Sequence, residues 1–337
     1  MKFAYLPLRA MLASVLLMSG FAPLPVLAQT DAVDTGLSAA SIEHAQLLRD
    51  RALSGTMAWD IVEALTTEVG PRLAGTESEA RARDWALRRL QTMGFANVRV
   101  EPFDIPGWTR GLEQAALLAP FAQPLAVTTL GGSVATPEEG IEAELAAFNS
   151  LNDLRAAEAG SLAGKVAYVS HAMQRSQDGS SYGFYGELRR VGASVAAEKG
   201  ALAILIRSIG TDSHRFPHTG QMLYAEGVPQ IPAAALSNTD ADQIERVLQR
   251  EVPVSIRLLL RPHSTPSAPS GNVIAEIVGR EHPEEIVVIG GHLDSWDLGT
   301  GAIDDGAGVA ITAAAAKMIL DSGKRPRRTI RLVLWGA

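Results

Sequence analysis

The sequence predicts an α/β fold in two units: a main domain of strands and helices, and a smaller α/β unit inserted in it. Three observations carry this. The apolar run Ile286-Val287-Val288-Ile289 breaks at Gly290-Gly291, and an Ala-rich helical segment starts at Gly306, which is a strand–turn–helix pattern. A second pairing of this kind sits mid-chain, where a helical segment near 185–199 runs into the apolar stretch ALAILI at 201–206. At 337 residues the chain also exceeds the usual size of one domain.

Composition narrows the class. Apolar residues make up 47%, enough for real cores, and aromatics only 5%, so those cores are aliphatic. A net charge of −7 argues against a nucleic-acid binder and leaves no basic patch for an anionic membrane. There is no cysteine, which excludes disulfides, a thiolate nucleophile and Cys-held zinc. Any metal must therefore be held by histidines and carboxylates.

Residues 1–28 read as a signal peptide: Lys2 and Arg9 at the start, an apolar stretch from Met11 to Met18, and small residues at Val26-Leu27-Ala28. Pro23 and Pro25 and the short apolar run argue against a membrane span. The mature chain is expected to start at Gln29, with its net charge moved from −7 to −9 by loss of Lys2 and Arg9. A secreted or periplasmic protein follows, with no membrane contact after signal removal.

The elements then come in order. Leu37–Leu53 and Met57–Val69 read as helices, with Ile42, Ala45, Leu47 and Leu48 forming an apolar stripe on the first. After the loop Gly70–Thr76, Thr76 or Ser78 starts a helix over 79–93, with Ala82, Trp85, Ala86 and Leu90 on one face and Gly94 at its end. Val98–Phe103 alternates as a strand. The main domain's first part is thus 29–119, and the inserted unit 120–252. In the insert we expect short strands up to Gly131, strands at 164–169, 201–206 and 231–236, and helices at 185–199 and 240–248, the last capped by Asn238 or Thr239. The second part of the main domain, 253–337, has strands at 254–260, 272–278, 285–289 and 329–335. The Pro-, Ser- and Thr-rich stretch 261–271 reads as a loop, and 306–322 as a helix.

The chemistry concentrates behind the glycine break. His292, Asp294, Asp297, Asp304 and Asp305 crowd the carboxyl end of the 285–289 strand, where open α/β sheets bind ligands. Buried on both faces, that strand would be internal to its sheet. His292 and Asp304 are the metal-ligand candidates. Asp294, two residues past His292, falls on the same side of an extended segment, placed to hold the other ring nitrogen. A pair of glycosidase carboxylates remains open. The spacing DLGTGAIDDGAG does not fit an EF-hand, and the chain has no G-x-S-x-G elbow. His214 and His218, in GTDSHRFPHTG, read as loop surface or a domain contact rather than substrate-facing residues, and His44, His171, His263 and His282 receive no role.

These residues resemble a known family. GGHLDSWDLGTGAIDDGAGV is similar to the first metal-ligand block of the M28 zinc exopeptidases, in the form of their carboxypeptidase Q branch. RPRRTIRLVLWGA resembles the strand before that family's catalytic acid, GPRLAGTESEARARDWALRRLQTMGF its N-terminal helical region, and the insert, with PHTG and VPQIPAAALS, its protease-associated (PA) domain. The resemblance implies a mixed sheet flanked by helices, incomplete here, with a PA domain inserted. It implies two zinc ions per complete site, with His292 binding one, Asp304 bridging both, and Asp294 acting as the catalytic partner of His292. It further implies a cis peptide at Asp304-Asp305. The family's general base and another zinc ligand follow directly after the Trp-x-Ala strand end, and a further Asp and His lie downstream. The present sequence ends at Trp335-Gly336-Ala337, which reads as a C-terminal truncation and as a chain with little or no hydrolysis of its own. The implied function is a zinc-dependent exopeptidase acting on dipeptides or short peptides. The alternative is a non-catalytic protein binding peptides or partners through its PA-like unit. A peptide substrate is the expected partner, nucleic acid is not, and a homodimer is left open. If the sheet stops at the last strand, Leu332, Val333 and Leu334 become an exposed apolar edge.

Overall fold

The computed structural model describes residues 37–337, so the signal peptide read over 1–28 and the cleavage point before Gln29 lie outside the described residues. The chain divides into Met1–Gln46 and Leu47–Ala337. Of the first unit residues 37–46 are described, most of them the start of helix α1, Ala39–Ser54, and no residue of α1 is buried. Its expected apolar stripe does not reach a core, as Ile42 and Leu47 are both exposed.

The second unit opens with α2, Met57–Ala64, which continues as one π-helical turn over Leu65–Val69. Helix α3, Glu77–Thr92, starts where Thr76 caps the Glu79 N–H, and it buries the expected Ala82, Trp85, Ala86 and Leu90. The chain turns at Gly94, whose φ of +84° lies in the left-handed region, and enters strand β1, Ala96–Thr109.

A second sheet follows: β2 Glu113–Ala119, β3 Gln123–Leu125, β4 Val127–Thr129, β5 Ile141–Phe148, helix α4 Leu151–Ala156, β6 Val166–Val169, α5 Ser181–Glu198, β7 Ala203–Arg207, β8 Ala233–Leu236, α6 Asn238–Leu248 and β9 Ser255–Leu260. Its eight strands are ordered β3-β2-β9-β5-β6-β7-β8-β4. β5 through β8 run parallel, with α4 and α5 as the crossovers joining β5, β6 and β7, and the remaining pairs are antiparallel. The sheet extends past 120–252 at both ends because β2 pairs with β9, Ala115 opposite Leu258. Ser237, rather than Asn238 or Thr239, caps α6 by accepting from the Asp240 N–H at 3.2 Å.

The chain then returns to the first sheet through β10 His263–Ile277, β11 His282–His292, helix α7 Gly308–Asp321 and β12 Arg328–Trp335. The order is β1-β10-β12-β11, with β11 parallel to β12 and the other pairs antiparallel. α2, α3 and α7 share one core with this sheet, through Trp85, Leu90, Val273, Ala313, Leu332 and Leu334 among others.

Three expectations are corrected here. Of the stretch 261–271 read as loop, all from His263 onward is strand. It pairs with β1, and its other edge is free of β12, which starts its pairing only at Val273, so Pro266 and Pro269 remove no ladder bond on that side. Ile286–Ile289 is not buried on both faces. β11 is the outer strand of the four, and Ile286, Val287 and Val288 are 42%, 47% and 53% exposed. Conversely, Leu332, Val333 and Leu334 are buried, because β12 lies between β10 and β11.

Candidate metal centre

Parallel pairing sets the position of the site. β11 runs beside β12 to its last residue, with His292 opposite Trp335, and the Leu293 N–H still donates to the Trp335 carbonyl at 2.5 Å. His292 is thus delivered by a strand end and not by a free loop. Leu293 is fully buried and anchors the turn that follows.

Three sequence-predicted residues meet here. His292 Nδ1 lies 2.9 Å from Asp294 Oδ1 and 3.1 Å from the Asp294 carbonyl. Both are acceptors, so Nδ1 carries a proton, and Nε2, on the other side of the ring, is the nitrogen left for a metal once its own proton is lost. Nε2 lies 2.8 Å from Asp304 Oδ1. The Asp304 side chain is 80% exposed, leaving its second oxygen open. In this ion-free arrangement the hydrogen bond to Asp294 comes first in raising the His292 pKa to about 9, and the Asp304 carboxylate adds to it against desolvation.

The loop from Asp294 to Asp304 is held by residues that periodicity does not reveal. Asp305, joined to Asp304 by a cis peptide, turns its carboxylate back: Oδ2 accepts from the His292 N–H at 3.0 Å and Oδ1 from the Gly308 N–H at 3.1 Å. One carboxylate thereby ties the end of β11 to the start of α7. Arg72, from the Gly70–Thr76 loop, is completely buried. Its guanidinium donates to the carbonyls of Leu293, Thr300 (2.5 Å), Gly301 (2.9 Å) and Gly70 (3.2 Å), and its backbone exchanges hydrogen bonds with Ser295. Among the described residues no carboxylate touches it. Burial lowers its pKa to about 10, and Asp294 and Asp305 oppose that from a distance. Gly301 sits at φ +59°, and a Cβ there would overlap Ser295, so the turn that Arg72 grips requires glycine.

Asp297 is taken by Arg110 at the end of β1, through Nη2 at 2.6 Å and Nε at 2.8 Å, a two-pronged pair with the arginine buried. Beside it Trp296 packs edge-on to Trp108, ring centroids 6.4 Å apart, and against Gly131, where a Cβ would overlap the indole. Glu79, in the first turn of α3, is fully buried, with Oε2 on Arg83 and Oε1 unpartnered. Burial raises its pKa to about 7, with Arg83 opposing and the charge of Asp294 adding.

Among the described residues, the group of three metal-competent side chains within 4.8 Å of one another is elsewhere: His282, Glu284 and Glu285, at the opposite end of β11. Glu285 pairs with Arg328, and His282 lies 3.6 Å from Glu284 in an open setting. The donors converging at His292 number two, and their chemistry fits zinc: a borderline nitrogen with its other ring nitrogen fixed, and a hard, exposed carboxylate.

Comparison with known proteins places the chain. The model of peptidase family M28 matches residues 272–337, which contain the whole loop just described. A peptidase M28 precursor from Shewanella amazonensis, of known crystal structure, is 54% identical, superposes with a TM-score of 0.86, and is matched over 88% of this chain and 67% of its own. The chain belongs to peptidase family M28. Bovine carboxypeptidase Q is 41% identical over 273 residues, 81% of this chain and 56% of the relative. The M28 chain here thus spans about half the length of the curated relatives it matches. A zinc aminopeptidase from Bacillus subtilis, 19% identical with a TM-score of 0.58, shares the fold.

Arg72, Arg110, Asp305 as a brace, and Trp296 were not found by sequence reasoning. The signal open to it was the GPRLAG loop, an arginine set between turn residues.

Proposed function

We propose that this chain carries part of a two-zinc centre of a zinc-dependent exopeptidase acting on short peptides, with His292 and Asp304 as ligands and Asp294 as the residue that orients His292. The observation that carries it is the line Asp294–His292–Asp304, with 2.9 Å on one side of the imidazole and 2.8 Å on the other. Bound zinc supplies Lewis acidity and lowers the pKa of a coordinated water. The protein's part is preorganisation. Asp294 fixes the tautomer that leaves Nε2 free, and Asp305 fixes where the ring begins. Asp304 presents two exposed oxygens, as a carboxylate bridging two ions needs. Arg72 places positive charge beneath Asp294 and Asp305 and holds the loop carbonyls in place.

Two donors are fewer than the three protein ligands of a usual catalytic zinc. These two donors alone are therefore expected to hold zinc weakly. We further read the insert as a protease-associated domain, and the leader as a signal that exports the protein to the periplasm or the medium. No helix of the described residues is long and apolar enough to cross a membrane.

Zinc uptake and dipeptide hydrolysis, measured on the protein and on Asp304→Asn, test the reading. Uptake that the substitution removes is the expected result. Uptake indifferent to Asp304 sinks it. For the leader, the mass of exported protein should begin at Gln29.

A further inference from the structure

A cavity of about 300 Å³ opens beside Asp304, between the metal loop and residues 212–219 of the second sheet's unit. One wall is Trp296 and Leu298, and the facing wall is His214, Phe216 and His218. The volume is at the lower end for ligand sites, enough for one or two amino-acid side chains.

The two walls hang from one buried guanidinium. Arg110 holds Asp297, between Trp296 and Leu298, and also donates to Thr219 Oγ1 at 3.3 Å, next to His218. It further donates to Thr128 Oγ1 at 2.7 Å, while Thr219 Oγ1 donates to the Thr129 carbonyl at 3.1 Å. The facing wall is thus fixed to the second sheet and to the metal loop at once. His218 is itself held: its N–H donates to Ser208 Oγ at 2.8 Å, and its ring stands edge-on to Tyr182 at 5.7 Å. Yet the ring is exposed, and neither ring nitrogen has a hydrogen-bond partner among the described residues. A supported imidazole with both nitrogens unused, facing an apolar slot beside the metal loop, has no structural task that the fold reveals.

We propose that this cavity is the side-chain subsite of the enzyme, taking an apolar or aromatic side chain of a short peptide, and that His218 is a specificity residue that hydrogen-bonds the peptide backbone there. The inference rests on the exopeptidase reading above. Phe216, Pro217, Trp296 and Leu298 supply the apolar lining, among the described residues no lysine or arginine lines the slot, and the carboxylate of Asp212 disfavours an acidic side chain there.

The test titrates the dipeptides Leu-Phe and Glu-Glu into the 337-residue protein, with and without zinc, reading tryptophan fluorescence and calorimetric heat. Leu-Phe should bind at least about tenfold more tightly than Glu-Glu. His218→Ala should weaken Leu-Phe about tenfold, the loss of one hydrogen bond and its packing. His218→Gln, which keeps a donor and an acceptor, should recover part of that, with the same thermal unfolding midpoint and the same zinc uptake in all three proteins. Trp296→Phe should remove the fluorescence response. Equal binding of the two dipeptides, no binding of either, or a His218→Ala protein that binds as well as the parent overturns the subsite. Loss of zinc uptake alone, with the preference and the His218 dependence intact, would count against the metal centre and leave the subsite standing.

Discussion

The two ends of β11 carry the same ingredients and are built differently. At the start, His282, Glu284 and Glu285 bring three donor atoms within 4.8 Å. At the finish, His292 and Asp304 bring two, with Asp294 on the far ring nitrogen. Donor count favours the start. The surroundings favour the finish. There Asp305 clamps the backbone of His292 to α7, and a buried arginine collects the carbonyls of the loop, whereas at the start Glu285 is drawn to Arg328 in solvent. A ligand set is made by what prevents the donors from moving, and proximity at a surface is common without it.

The largest way to break this comparison is to remove the arginines. Arg72→Ala leaves the carbonyls of Leu293 and Thr300 without their side-chain donor, and that of Gly301 with only the Gly306 N–H, and should cost about 3 kcal/mol or more in chemical denaturation. Arg328→Ala, at the open end, should cost about 0.5 kcal/mol or less, as exposed pairs do. Equal losses would show that the two ends are equally braced. Next in size, Asp294→Asn should lower zinc affinity about 10–100-fold by calorimetry, since it disturbs the tautomer and basicity of His292, while Glu284→Gln should leave it unchanged.

The smallest effect concerns Glu79. Its folded pKa of about 7 lies above its ordinary 4.5, so the folded state keeps the proton longer than the unfolded one. Stability from this group is whole below about 4.5 and falls as pH rises toward 7. Glu79→Gln should flatten that decline in denaturation midpoints taken at pH 4.5, 6 and 7.5. An unchanged slope would remove Glu79 from the account.

What the sequence made legible follows from local rules. Thr76, the apolar face of α3 and Gly94 write one helix in neighbouring residues, and the 292–305 motif is contiguous. What stayed hidden depends on distant partners. Arg72 bonds carbonyls more than 220 positions away, and no period in the chain announces it. Ile286–Ile289 reads as buried because apolar runs usually are, but burial depends on which strand takes the outer place, and here β12 takes the inner one. His218 reads as loop surface for the same reason. Its loop faces the metal side only because Arg110 ties Thr219 and Asp297 together.

Zinc titration of the protein, of His292→Ala and of His282→Ala tests the central claim most directly. The account predicts that His292→Ala abolishes uptake and that His282→Ala binds as the parent does. Uptake lost with His282 and kept without His292 would place the metal at the wrong end of β11 and contradict it.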